Sequence, residues 1–302
     1  MIREAFSAVA RNESLGAALR RAPIAREIVK RVVAGDSVES ALEVAAALAD
    51  DGFWVSLERA APSVGSPEEA REVLVEYLAL VDRLVASGVA RTCEVSVFPD
   101  ALSPGTPDEA TALRDLCESA SAAGIPVMVG MGQPDDVDRT IEAVEVLHSE
   151  GLLVGVTLQA VLRRTEADCV RFAGRRVRLV KGSHRAEGPA AHHQPIEIDK
   201  SYVRCAKTLL RGSGDPSFAT HDPRLVEILE TLAPRYGRPP GSYEYAFYMG
   251  RQEGLQRRLC DAGERVRIYV PYGPDWFERL VGGLAEQPSS IAAAVRSLLP
   301  GA

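Results

Sequence analysis

The chain has 302 residues, 46% hydrophobic and 25% charged, with a formal net charge of −7. That length accommodates one large α/β domain, and the acidic balance excludes the basic stripe expected of a nucleic-acid surface. Apolar runs such as residues 44–49 fall far short of the roughly 20 residues of a membrane span, so no transmembrane segment is expected.

In chain order, apolar positions at helical spacing, including Leu15, Leu19, Ile28, Val32, Leu42 and Leu48, predict an N-terminal helical extension over 1–50. Over 51–302, short β-prone runs alternate with longer helical stretches, at 53–57, 93–98, 125–130, 154–158, 177–181, 218–220, 243–247 and 266–270. Eight strands separated by helices predict an α/β (β/α)8 TIM-like barrel. Ser66-Pro67-Glu68-Glu69 and Thr106-Pro107-Asp108-Glu109 read as helix starts, each with a capping hydroxyl, proline at the first helical position and a glutamate able to cap back. Residues 187–199, EGPAAHHQPIEID, are the least periodic part and predict a lid or substrate loop after the fifth strand. Five widely spaced cysteines with no CxxC pair, behind an amino terminus lacking an apolar signal core, predict a reduced, cytoplasmic protein.

Three segments end a buried run by presenting polar groups: VRLVKGSH at 177–184, FATHDP at 218–223 and RIYVPYG at 267–273. In a parallel barrel the strand carboxyl ends face the ligand, so these groups predict one shared site. Taken singly, Arg178 and Lys181 read equally as solvated charges, and a lone His221 as a strand-capping histidine. His184, His192 and His193 match no compact zinc spacing, and no metal is assigned.

These strings, with SYVRCAKTLL at 201–210, YEY at 243–245 and LAE at 284–286, resemble the proline dehydrogenase family over about residues 50–290. That family comprises flavoenzymes on a distorted (β/α)8 barrel that use FAD to oxidise proline to pyrroline carboxylate. The resemblance implies that Gln159 and Arg178 address the isoalloxazine, with Lys181, Gly182, Thr220 and His221 near the flavin and its phosphates. A guanidinium beside the flavin favours the electron-rich reduced ring, and a lysine suits a pyrophosphate.

The substrate side departs from the family. Its paired carboxylate-clamping arginines fall on Gly282 and Gly283, and the tyrosine one turn earlier falls on Arg279. Its second-strand lysine falls on Phe98, its third-strand aspartate on Gly130, the tyrosine after the KG turn on His184, and its gating glutamate on Pro62. Tyr248 and Tyr269 keep pocket-lining positions. Arg279 is either a substitute clamp or an exposed helix arginine.

The expectation is an FAD-dependent oxidoreductase taking a hydride from an amine-type substrate, C–N or N–N, other than free proline, with room for a larger or carrier-tethered one. Its product would be imine- or hydrazone-like. Arg178, His184 and Tyr269 are the expected catalytic residues, and a quinone, oxygen or a protein is the electron acceptor. The alternatives are an ordinary proline dehydrogenase and a non-catalytic flavin-binding protein.

Overall fold

The computed structural model describes residues 31–60, 64–102, 107–132, 134–182 and 188–274. Strands β1 (Trp54–Arg59), β2 (Cys93–Val97), β3 (Val127–Val129), β4 (Val154–Gln159), β5 (Val177–Val180), β6 (Pro216–Ala219), β7 (Glu244–Tyr248) and β8 (Val266–Tyr272) form one closed barrel. Every neighbouring pair is parallel, including β8 with β1. Between them run α2 (Pro67–Ser87), α3 (Pro107–Ala122), α4 (Val137–Ser149), α5 (Thr165–Arg171), α6 (Pro195–Arg211), α7 (Pro223–Arg235) and α8 (Glu253–Asp261). The expected strands lie within about two residues of those observed at each end.

A further helix, α1 (Val38–Asp50), is closed by a Ser37–Ser40 capping box and buries Ala41 and Ala45. It packs on β1 and β8, so the seam of the barrel is covered by a helix that precedes its strand. The chain ahead of it is tied to the end of β8: Ala34 N–H donates to the Pro271 carbonyl at 3.0 Å, and Gly273 N–H donates to the Gly35 carbonyl at 2.9 Å. Residues 1–30 of the expected extension lie outside the described residues. At the start of α2, Ser66 accepts from the Glu69 N–H as expected, but the Glu69 carboxylate reaches the Gly65 N–H at 2.7 Å rather than its cap residue.

The predicted loop over 187–199 is corrected in part: residues 188–194 form no helix, 195–199 are helical, and residue 187 lies outside the described residues. Pro195 opens α6, and the preceding residues are pinned to the β4–α5 turn. Leu162 bridges Ala191, and the His192 N–H donates to the Val161 carbonyl at 2.8 Å. Proline and histidine obscured a helix start whose apolar face begins only at Ile198 and Tyr202.

One side of each strand is apolar and meets the helices, through Val55, Leu57, Val95, Val127, Leu179 and Ile268 among others. The other side fills the barrel, and here it is ionic where branched aliphatic layers are usual. Glu94 and Glu244, both fully buried, share Arg176, and Arg267 donates to Glu244 at 2.8 Å and to the Val55 carbonyl at 2.8 Å. Burial alone would raise the Glu94 carboxyl. Arg267, then Arg176 and Arg178, outweigh that and bring it from 4.5 down to about 2. Glu244 is held low in the same way, by Arg176 and Arg267 against its burial. A carboxylate with a folded value below its unfolded one stabilises the fold above the unfolded value and loses that contribution as pH falls through the folded one. The midpoint of thermal unfolding is therefore expected to drop as pH falls from 4.5 to about 2, a drop that Glu94→Gln makes shallower. Equal slopes in both proteins would contradict this account.

Candidate active site

Arg178 stands at the centre of the barrel's upper half. β5 carries it inward, where it is 5% exposed, and its guanidinium spans the lumen to β1 and β2. Its Nη1 donates to Ser96 Oγ at 3.0 Å, and its Nη2 donates to Ser56 Oγ at 3.1 Å and to the Glu94 carboxylate. The two serine hydroxyls are 2.9 Å apart. Three partners on two strands hold the fork in one orientation, while its buried Nε has no hydrogen-bond partner.

On the neighbouring strand, Gln159 is 4% exposed; its Nε2 donates to the Gly132 carbonyl at 3.2 Å, and its Oε1 has no partner. Buried polar atoms in folded proteins are nearly always satisfied, and each exception calls for an explanation. A ligand above Arg178 and Gln159 that offers both an acceptor and a donor would satisfy this pair. Gly182 belongs to the same wall. Its φ is +112°, and a Cβ there would lie 2.5 Å from Val161 Cγ1 and 3.3 Å from Gln159 Oε1, so only glycine fits the turn after β5.

Beside it, Lys181 Nζ meets Asp199 of α6 at 2.6 Å and Asp222 at 3.2 Å. Asp222 caps α7 by accepting from the Arg224 N–H, and it also receives the Arg224 guanidinium at 2.7 Å. Hydrogen bonds from Arg224, then from Lys181, outweigh burial and hold the Asp222 carboxyl at about 2. Thr220, buried at the end of β6, accepts from the Asp222 N–H at 3.2 Å. His221 accepts the Tyr248 backbone N–H on Nε2 at 3.0 Å. Burial, then the Arg251 charge, bring its imidazole down to about 4. It is thus neutral at physiological pH, with the proton on Nδ1.

The opposite wall is aromatic. The Tyr269 ring lies 5.5 Å from the Arg178 guanidinium and edge-on to Tyr248 at 5.0 Å, and Tyr248 stacks on His221 at 5.5 Å. Tyr269 donates its hydroxyl to the Glu58 carboxylate. Across the mouth, Phe98 and Gly130 follow β2 and β3 directly. A Cβ on Gly130 would sit 2.8 Å from the Phe98 ring carbons, so the ring fills the space a side chain at 130 would need. Phe98 and Gly130 thus form one matched pair across β2 and β3.

The barrel thus brings together Phe98, Gln159, Arg178, Lys181, Gly182, Thr220, His221, Tyr248 and Tyr269. Pro62, His184, Arg279, Gly282 and Gly283 lie outside the described residues. Missed from the sequence were Ser56, Glu58, Glu94, Ser96, Arg176, Glu244 and Arg267. Their signal was polar residues at every second position of runs otherwise read as buried strand: Ser56 and Glu58, Glu94 and Ser96, Arg267 and Tyr269. A cleft of about 780 Å³ opens at the other end of the barrel, lined by Arg175, Arg176, Asp215 and Arg238 among others. Its Arg176, Asp215 and Arg238 are engaged with one another or with backbone carbonyls. Among the described residues, no cluster of three or more His, Cys, Asp or Glu side chains is placed to hold a metal, and no helix is long and apolar enough to cross a membrane.

Comparison with known proteins bears on the family and the fold. The family described as proline dehydrogenase matches residues 41–276. The chain is 28% identical to the proline dehydrogenase of Deinococcus radiodurans over 91% of each chain, and 24% identical to proline dehydrogenase 1 of Bacillus subtilis strain 168 over 99% of each. Among solved structures, the proline utilization A (PutA) protein of Bdellovibrio bacteriovorus inactivated by N-propargylglycine superposes with a TM-score of 0.81 at 21% identity. That match covers 94% of this chain but 36% of the PutA chain, and at such identity it speaks for the fold alone. A match running from α1 through β8, over the whole described barrel, makes this chain a member of the proline dehydrogenase family, and so an oxidoreductase of that family.

Proposed function

We propose that the protein is an FAD-dependent proline dehydrogenase that removes a hydride from a ring carbon next to the proline nitrogen and releases a pyrroline carboxylate. The observation that carries the chemistry is Arg178, a guanidinium fixed by Glu94, Ser56 and Ser96 whose Nε has no partner. With Gln159 Oε1, likewise unpartnered, it fits the edge of a ring system that alternates acceptors and donors, as an isoalloxazine does. Bound FAD would supply the two-electron acceptor. Arg178 would place its charge where negative charge develops, at no cost in reorganisation, because its partners already fix it. Lys181, Gly182 and Thr220, beside the amino terminus of α7, would hold the phosphates. Neutral His221 would present its Nδ1–H as a donor.

On the substrate side, Tyr269 and Tyr248 would wall the amine and hold it over Arg178, and His184 is proposed to join them. Support for proline over another amine comes from relatives named proline dehydrogenase that match nearly the whole chain, and the expectation of a different amine yields to it as the leading reading. A second reading keeps a less polar amine as substrate. Phe98 against Gly130 makes this wall apolar where the family carries a lysine and an aspartate, and Gly282 and Gly283 replace its arginines. Five unbridged cysteines support a cytoplasmic setting. The electron acceptor is proposed to be a quinone, oxygen or a protein.

An anaerobic titration of the purified protein with proline, followed in the visible spectrum, separates these readings. Bleaching of the yellow flavin bands is the expected result. Bands that persist with proline but bleach with a bulkier or less charged amine favour the second reading. A protein that stays colourless after FAD is added overturns the flavin assignment itself.

A further inference from the structure

Glu58 is the residue of this site that neither the sequence strings nor the implied cofactor accounts for. It is the next-to-last residue of β1, two positions beyond Ser56 on the same inward face, and it is 3% exposed. A carboxylate so deeply buried at the mouth of a barrel is costly unless it is bound, and here it receives the Tyr269 hydroxyl. Tyr269 in turn lies within 5.5 Å of the Arg178 guanidinium and edge-on to Tyr248. Ring and hydroxyl are therefore both oriented, the ring by its neighbours and the hydroxyl by Glu58.

A phenol has one proton to donate and lone pairs to accept. If Tyr269 gave that proton to a substrate amine, it would occupy the nitrogen lone pair that must push the hydride off the adjacent carbon. With the proton committed to Glu58, the phenol oxygen meets the nitrogen as an acceptor. An amine N–H directed at it leaves the lone pair aligned with the breaking C–H bond. The geometry points to Glu58 as a positioning residue for amine oxidation, which sets Tyr269 as an acceptor toward the substrate N–H. This inference rests on the proline dehydrogenase reading above and adds to it a residue and a role.

The test is anaerobic stopped-flow reduction of the FAD-loaded protein by proline, comparing the unmodified chain with Glu58→Gln, Glu58→Asp, Tyr269→Phe and the double variant Glu58→Gln/Tyr269→Phe. A glutamine amide can donate to the phenol oxygen and turn its proton back toward the substrate. Glu58→Gln is therefore expected to slow the limiting reduction rate by about tenfold or more, the scale of a misplaced hydrogen bond to a charged group, with a smaller change in apparent proline affinity. Glu58→Asp recovers part of the rate, and the double variant is no slower than the slower single variant, because both changes break one contact. Losses that multiply in the double variant, or an unchanged rate in Glu58→Gln, overturn the inference. Tyr269→Phe, which leaves Glu58 in place, decides the matter should Glu58→Gln not fold: an unchanged rate there also overturns it. An unmodified protein that binds FAD and stays yellow with proline overturns the proline reading, and this inference with it.

Discussion

Replacing Arg178 by methionine is expected to slow flavin reduction by proline by about 10²–10³-fold, the loss typical of removing one preorganised group that faces developing charge. The reason lies in how the side chain is held. Its fork is engaged by Ser96, Ser56 and Glu94 from two strands across the lumen, and it is 5% exposed, so its charge meets the reacting centre without water to screen it. Arg178→Lys keeps the charge but not the planar fork. It cannot span Ser56, Ser96 and Glu94 together, and is expected to recover only part of the rate. Single-turnover reduction under anaerobic conditions measures this directly, with the visible spectrum reporting FAD retention in the same sample. A methionine variant that retains FAD and is reduced within about threefold of the unmodified rate would remove Arg178 from the chemistry, since threefold is well under the tenfold that about 1.4 kcal/mol corresponds to.

Replacing Glu94 by alanine is expected to be the most destabilising change in the barrel interior, by about 3–5 kcal/mol, because it strands buried cations. Arg178, Arg176 and Arg267 all lie around this one carboxylate, and after its loss the Ser96 and Ser56 hydroxyls remain to accept from the Arg178 guanidinium. At roughly 2–4 °C per kcal/mol for a domain approaching this size, the thermal midpoint should fall by about 10 °C. Glu94→Gln keeps the shape and part of the hydrogen bonding and should cost less. The cost arises from leaving charges uncompensated, and it does not mean that the ionic network is more stable than an apolar filling would be. A midpoint unchanged by Glu94→Ala would show that water or a rearranged Glu244 satisfies the arginines. In either outcome, the reduction rate of Glu94→Ala compared with that of Arg178→Met separates the support Glu94 gives to Arg178 from its support of the fold.

The scaffold was legible in the chain because it is encoded locally. Runs such as VRLV and VRIYV, broken by proline- and glycine-marked helix ends, carry strand and helix signals within a few residues of one another, and eight repeats of that alternation lead to a closed parallel barrel. The residues proposed to face the cofactor share one rim for a related reason. Gln159, Lys181, Thr220 and His221 sit at or just past strand carboxyl ends, Arg178 projects inward from within β5, and strand direction carries them toward one rim.

What the chain did not disclose depends on distance across the lumen. Phe98 and Gly130 are 32 positions apart, and only parallel pairing of β2 with β3 brings the ring into the space beside the glycine. Glu58 and Tyr269 are separated by 211 positions, and Glu94 and Arg178 by 84. In the sequence each reads as an isolated charge or aromatic inside a buried strand. Burial makes an unpaired charge prohibitively costly, so partners must exist. Which residues they are depends on barrel closure and on the two-residue alternation that sends one side of every strand inward. Local pattern thus determined the scaffold and the rim to which the chemistry is assigned. The tertiary fold alone decided which carboxylate orients Arg178, which one accepts from the Tyr269 hydroxyl, and which ring closes the third-strand wall.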